Sequence, residues 1–334
     1  MLSRRVAELV QAVISLAPLA GLMPRPPERP EGITAGVRAR GEEDWIEPCL
    51  LSVKEFADEV LLLDNGASAG VRERVRRLAP SLGAGFRALD CTGLDIVALS
   101  NRGLEESRRH WFCLWDADLV GHTEGPYAVQ GLRRYLMALD RRRYHVVNIA
   151  TRELAGDLGH RLFDLAIRFD PHVMTVGGGV RYVWGVRQLR PHEVSPVHRT
   201  LRGDDVTAYR IRYDTPRIPR YYQVHRWTSP SLLHVNVKSA RRLLLRHFWQ
   251  EWLASGSSGD LESFARERVR ERWGIDSLKA AEGRFMAEYC RHLVPVSEAE
   301  MGGYPRLLDP FLRVPTFRVL YRDGRIVGRA EAEP

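Results

Sequence analysis

Trp111-Phe112-Cys113-Leu114-Trp115-Asp116-Ala117-Asp118 is an apolar, aromatic-rich run that stops on two carboxylates one residue apart. It follows a polar, basic segment (105–110), so it reads as a buried strand that surfaces at its C-terminal end. A strand ending in an ordinary turn has the same appearance, since Asp is a common turn residue. Carboxylates at a strand exit are also placed to reach a hard cation. Mg²⁺ and Mn²⁺ prefer one or two carboxylates completed by substrate oxygens such as phosphates.

Outward from this run the pattern repeats. Ile33-Thr34-Ala35-Gly36-Val37 predicts a first strand, and residues 42–56 an amphipathic helix with Trp45, Ile46, Leu50, Val53 and Phe56 on one face. Val60-Leu61-Leu62-Leu63 is a second apolar strand, ending at Asp64-Asn65-Gly66. A helix (71–78), a strand (85–90) and a helix (97–107) lead back to the opening run. Such alternation of fully apolar strands with helices predicts a parallel sheet covered on both faces, whose ligands bind beyond the carboxyl ends of the strands. Residues 38–43, Asp64 with Asn65, and Asp116 with Asp118 all fall at such ends. Tyr144-His145-Val146-Val147-Asn148-Ile149 is a further strand, after which the pattern is irregular to about residue 239. Helices are predicted over 239–254 and 261–273, and a hairpin over 317–327 around Asp323-Gly324.

The chain has 334 residues, 44% of them hydrophobic and 28% charged, which suits a soluble α/β protein and excludes a disordered or fibrous one. Its net charge of +8 is carried mainly by Arg, a residue suited to gripping phosphate, so a phosphate-rich partner is expected. Nucleic acid, an anionic membrane and a sugar nucleotide all qualify. Cys49, Cys91, Cys113 and Cys290 lack metal-ligand spacing and read as reduced thiols of a cytoplasmic protein without structural zinc. The apolar segment 6–23 is interrupted by Glu8, Gln11 and Pro18, so it predicts an amphipathic helix packed on the body or lying on a membrane, not a span. Four prolines between Pro24 and Pro30 form a stiff linker. The expected division is an N-terminal helix with its linker (1–30), a catalytic domain (31–240) and a helical C-terminal extension (241–334).

Three segments together resemble the family-2 glycosyltransferases of the GT-A fold. Ala39-Arg40-Gly41-Glu42-Glu43 is similar to that family's Lys/Arg-Asn-Glu-Glu turn, Leu62-Leu63-Asp64-Asn65-Gly66-Ala67-Ser68-Ala69-Gly70 to its Val-Asp-Asn-Gly-Ser-x-Asp-Gly segment, and Leu114-Trp115-Asp116-Ala117-Asp118 to its Leu-Asp-Ala-Asp. The resemblance covers residues 32–120 well and extends loosely to about 240. It departs at Gly41, where relatives carry Asn, at Ala69, where many carry an acid, and at Ser100-Asn101-Arg102, whose order is shuffled.

The resemblance implies an α/β GT-A (Rossmann-like) fold with a mostly parallel central sheet flanked by helices, here with an N-terminal helix and a helical C-terminal extension ending in a β-hairpin. It implies a metal-dependent, inverting glycosyltransferase that uses Mn²⁺ or Mg²⁺ and moves a sugar from a GDP- or UDP-sugar to an acceptor hydroxyl on a glycan or lipid-linked acceptor. Arg38, Arg40, Glu42, Asp64, Asn65, Asn101 and Asp116 are then expected at the nucleotide, and Asp116, Asp118 and His234 at the metal. A structural role for His234 in a strand stands beside that reading. Glu193 is the first candidate for the base that activates the acceptor, with Glu153 and Asp157 as rivals. Arg181, Arg226 and Lys238 are candidates for diphosphate oxygens, and Gly177-Gly178-Gly179 reads as a flexible loop near the acceptor. The basic charge and N-terminal helix add an expectation of peripheral association with the cytoplasmic membrane face. The alternative of a basic nucleic-acid-binding protein lacks a recognisable module and leaves acids at three strand ends unexplained, so no nucleic-acid partner is expected. A nucleotidyltransferase would carry a Gly-rich signature after the first strand, which is missing; a non-catalytic sugar-nucleotide binder is the remaining alternative.

Overall fold

The computed structural model describes residues 4–40, 44–162, 167–189, 194, 196–202, 210–256 and 259–332. Helix α1 (Arg4–Ile14) precedes the proline linker. Then β1 (Ile33–Ala39), α2 (Ile46–Val53), β2 (Glu59–Asp64), α3 (Ala69–Leu82), β3 (Phe86–Asp90), α4 (Ile96–Glu106) and β4 (Trp111–Asp116) alternate as the apolar runs predict. The middle of the chain forms β5 (Leu119–Gly121), α5 (Val129–Met137), β6 (His145–Ala155), β7 (His160–Leu162), β8 (Ile167–Thr175), β9 (Arg181–Gln188), α6 (Pro196–Arg202), β10 (Arg210–Arg217) and β11 (Gln223–Asn236). The C-terminal part contains α7 (Ala240–Ser255), α8 (Leu261–Trp273), α9 (Leu278–Cys290), β12 (Leu293–Pro295), α10 (Glu298–Met301), α11 (Asp309–Arg313), β13 (Phe317–Arg322) and β14 (Arg325–Glu331).

The result is the mixed α/β architecture expected, with a parallel-dominated central sheet flanked by helices. The eight strands run in the order β3-β2-β1-β4-β8-β6-β11-β5. The first four are all mutually parallel. In the other half β8 is antiparallel to β4 and β6, β11 is parallel to β6, and β5 is antiparallel to β11.

The link between β4 and β5 forces the sheet to curl. These strands stand four places apart in the order, about 19 Å in a flat sheet. Yet Asp116 and Leu119 are joined by three Cα steps, at most about 11 Å. The far edge must therefore fold back over β4, and the Trp115 indole N–H, which donates to the Leu119 carbonyl at 2.9 Å, holds the corner.

Burial of both sheet faces explains why the strands of the parallel half read as continuous apolar runs. Val60, Leu62, Trp111, Cys113 and Trp115 pack on one face with Ile46, Leu50, Val53 and Phe56 of the α2 region, and with Val71 and Val75 of α3. Leu61, Leu63, Phe112 and Leu114 pack on the other face with Leu99 and Leu104 of α4. Gly103 permits that approach, since a Cβ there would stand 2.9 Å from Leu63 and 3.2 Å from Phe112. Ser68 and Asp95 cap α3 and α4, accepting from backbone N–H groups of the first turn.

Helices α7, α8 and α9 form a separate apolar cluster through Leu244, Phe248, Phe264, Val269 and Phe285, closed by Ala155, Leu162 and Val319. The terminal hairpin turns on Asp323 (φ 50°) and Gly324 (φ 72°), the two left-handed residues that a tight hairpin turn requires. The four cysteines are buried and form no disulfide. Among the described residues no helix is long and apolar enough to cross a membrane.

Candidate functional site

The chain builds β1, β2 and β3 outward in one direction, then returns to place β4 on the other side of β1. The strand order reverses between β1 and β4, and in open α/β sheets the crevice at the carboxyl ends of such a pair is where ligands bind. Register puts Arg38 beside Asp116 across that crevice and Ala39 beside Asp64 on the adjoining strand. Arg38 Nε donates to Asp116 Oδ1 at 2.7 Å, and its Nη1 donates to Asp214 Oδ2 at 2.6 Å. Ser100 Oγ of α4 lies 2.9 Å from the same Asp214 oxygen. Burial opposes the charge on Arg38, but Asp116 and Asp214 outweigh it and raise its pKa. The Asp116 side chain is 41% exposed, whereas Arg38 and Asp214 are largely enclosed. With two carboxylates to one guanidinium, the trio carries a net charge of −1.

Asp64 is organised by its own loop. Its Oδ1 accepts from the Ala67 N–H at 2.7 Å and its Oδ2 from Arg72 Nε at 2.7 Å. Burial acts to raise its pKa, but Arg72 and the backbone donors prevail and hold it below the usual range. Asn65 Nδ2 donates to the Leu94 carbonyl at 3.1 Å. Asn101 does not face the crevice: its amide is engaged by the Tyr182 backbone, accepting at 2.8 Å and donating at 3.0 Å, which fastens β9 to α4. Arg40 is exposed just beyond β1, and its carbonyl accepts from Arg242 at 3.4 Å. Glu42 and Glu193 lie outside the described residues.

Asp118 goes elsewhere. The corner that carries the chain into β5 delivers it to the β11 side, where the Val235 N–H donates to its carbonyl at 2.7 Å. Its carboxylate is only 4% exposed, with Lys238 Nζ 2.6 Å and His234 Nε2 3.3 Å from Oδ2. His234 Nδ1 stands 2.6 Å from Glu153 Oε2, the pairing set by the β6/β11 register. Burial disfavours the imidazolium, yet Glu153 and Asp118 outweigh it and push the His234 pKa up to about 10. Burial likewise works against the Asp118 carboxylate, and Lys238 with His234 overcomes it, so Asp118 titrates well below its usual range. The four groups form a buried cluster of two anions and two cations.

The expected metal set therefore divides. Both nitrogens of His234 face carboxylates and Asp118 Oδ2 meets the Lys238 ammonium, so in this arrangement the groups are paired with one another. Among the described residues no group of three or more His, Cys, Asp or Glu could hold a metal ion. Asp116 remains at the mouth, where its 41% exposed side chain could meet a hard cation completed by substrate oxygens.

Two of the three base candidates are engaged by protein partners in this structure. Glu153 lies inside β6, which runs six residues beyond the expected strand, and it is 1% exposed against His234. Asp157 accepts from His160 Nδ1 at 2.5 Å, the Gly159 N–H at 2.8 Å and the Val319 N–H at 2.7 Å, which anchors the terminal hairpin. The residue that sequence reasoning missed is Asp214. Its signal was the alternation in Arg210-Ile211-Arg212-Tyr213-Asp214-Thr215, a period of two that marks β10.

No protein-family model and no curated protein matches the chain. Among solved structures, S. aureus TarS 1–349 in complex with UDP is 11% identical over 90% of this chain and 98% of that one, with a TM-score of 0.37. The mannosyltransferase PcManGT from Pyrobaculum calidifontis, in complex with GDP-Man and Mn²⁺, is 15% identical over 82% of this chain and 89% of that one, with a TM-score of 0.35. Likenesses this distant leave the site to be argued from its own residues.

Proposed function

We propose that the chain is a glycosyltransferase that takes its sugar from a GDP- or UDP-linked donor bound at the β1/β4 crevice. The observation that supports this reading is the Arg38–Asp116 pair at the strand-order reversal, beside Asp64, in a chain whose three motif segments resemble one family of such enzymes. Asp64 and Asn65, at the exit of β2, are assigned to the ribose and base. Arg38, held by Asp214 on its inner side, fixes the Asp116 carboxylate toward the mouth, where the diphosphate would lie. The Asp116 carboxylate at that mouth disfavours a bare diphosphate. A divalent cation accompanying the donor would be held by Asp116, and would supply neutralisation of the leaving group.

The reaction is attack of an acceptor hydroxyl on the anomeric carbon with departure of the nucleoside diphosphate, the hydroxyl proton passing to a carboxylate on the acceptor side. Glu193 is the proposed base, in an inverting displacement. Thermal denaturation of the full chain with UDP, GDP and their sugars, with and without Mn²⁺, tests the donor assignment. A donor that binds the native state raises the midpoint, and the reading expects this only with the metal present. If no nucleoside diphosphate or its sugar moves the midpoint under either condition, the reading fails. Glu193→Gln is expected to keep donor binding and lose transfer; full transfer would remove Glu193 as the base.

A further inference from the structure

Helix α1 sits on the body with its polar side inward. Gln11 Nε2 donates to the Arg220 carbonyl at 2.7 Å and also to that of Tyr222, and Arg143 Nη2 donates to Ser15 Oγ at 2.5 Å. The apolar side faces outward: Leu9 is 66% and Val13 61% exposed, with Val10 and Leu16 beside them at helical spacing. The arrangement is the reverse of a helix that stabilises its own domain by apolar burial.

The loop that Gln11 grips also lines a pocket of about 450 Å³, formed by Gly179, Arg181, Arg217, Ile218, Pro219 and Arg220. Arg181 and Arg217 are register partners at the ends of β9 and β10, and all three arginines are exposed. Among the described residues none of the three pairs with a carboxylate. Next to the pocket, Tyr222 Oη donates to the Gly177 carbonyl at 2.7 Å and Tyr221 Oη to that of Gly178. Gly178 and Gly179 hold left-handed conformations at φ 58° and 76°. Of the Gly177-Gly178-Gly179 loop, Gly179 lines the pocket, and the two preceding carbonyls are held by tyrosine hydroxyls. Arg217 lies three residues beyond Asp214 on β10, about 10 Å of strand, so the pocket is separate from the Arg38 trio.

We infer that α1 and this pocket form one surface that docks on an anionic lipid bilayer, with the apolar row of α1 entering the acyl boundary and a lipid phosphate seated among Arg181, Arg217 and Arg220. A cationic pocket that meets no carboxylate among the described residues, beside an outward apolar row, complements both layers of such a membrane at once. Neither a neutral surface nor a soluble anion would use both.

The test is co-sedimentation of the full chain with phosphatidylglycerol or phosphatidylcholine vesicles at low salt, using wild type, Arg217→Gln/Arg220→Gln and Val13→Ser/Leu16→Ser. All four positions are exposed, and an unchanged melting temperature verifies the fold. Wild type is expected to bind the anionic vesicles in preference to the neutral ones. The arginine pair should weaken that binding about 30-fold, and the helix pair about tenfold. Failure of the full chain to bind phosphatidylglycerol vesicles overturns the inference, as does binding that neither variant weakens. Two further results overturn it: an arginine-dependent response to inorganic phosphate without vesicle binding, or a two-copy mass in solution that Val13→Ser/Leu16→Ser returns to one copy.

Discussion

The two halves of the central sheet treat charge in opposite ways. In the parallel half, Arg38, Asp116 and Asp64 stand at strand ends, Arg38 largely enclosed and Asp116 41% exposed toward the crevice. In the mixed half, Asp118, Glu153, His234 and Lys238 are buried and balance one another. The two aspartates of one Asp-x-Asp sequence are thereby divided, one at the crevice and one in the buried cluster. Burial, not residue type, separates the roles: ions taken from water need compensation on the spot, whereas ions at a mouth can wait for a ligand.

Breaking the buried cluster should produce the largest effects. The His234 pKa lies above its unfolded value, so its contribution is complete below about pH 6.5 and is lost as pH rises through about 10. The shift corresponds to at most about 5 kcal/mol. Urea denaturation from pH 6 to 10 is expected to show this loss, and in His234→Gln the alkaline decline should flatten. Asp118 behaves in the opposite sense, because its lowered pKa gives a contribution present above the usual carboxylate range and lost as acid reaches its folded value. Lys238→Ala, which leaves Asp118 buried without its ammonium, is expected to cost about 3–4 kcal/mol by the same assay.

The parallel half should respond less in stability and more in binding. Arg38→Ala removes the guanidinium from the enclosed Asp214, whereas Asp116 is more exposed, so a loss of about 2 kcal/mol is expected, together with loss of nucleotide affinity in titration calorimetry. Asp64→Ala releases an ion pair whose Arg72 is already solvated. It should cost about 1 kcal/mol or less in stability while weakening nucleoside diphosphate binding about tenfold. A stability loss in Asp64→Ala as large as that in Lys238→Ala would erase the contrast between the halves.

How legible these halves were in the sequence follows the same division. Val60-Leu61-Leu62-Leu63 and Trp111-Phe112-Cys113-Leu114-Trp115 announce a doubly covered parallel strand, because both faces are apolar. Strand–helix alternation then places the strand ends in order. The region from β8 to β11 was not legible in this way. Strands β9 and β10 are half exposed and carry Arg181, Arg187, Arg210, Arg212 and Arg217 among their apolar residues, which obscures an apolar pattern. The buried cluster is assembled from Asp118, Glu153, His234 and Lys238, groups up to 120 residues apart, and only the β5/β11 and β6/β11 registers bring them together. A local motif cannot encode that. Read locally, Asp116 and Asp118 are equivalent; the short corner into β5 makes them different.

The central claim is that Asp116 at the β1/β4 crevice is the carboxylate that serves a nucleoside diphosphate. Calorimetric titration of UDP and GDP into wild type and Asp116→Asn, with Mn²⁺ or with a chelator, tests it most directly. The account predicts Mn²⁺-dependent binding of one of the two nucleotides by wild type, and its loss in Asp116→Asn at an essentially unchanged melting temperature. Asp116→Asn that binds as tightly as wild type, or wild type that binds neither nucleotide, would contradict it.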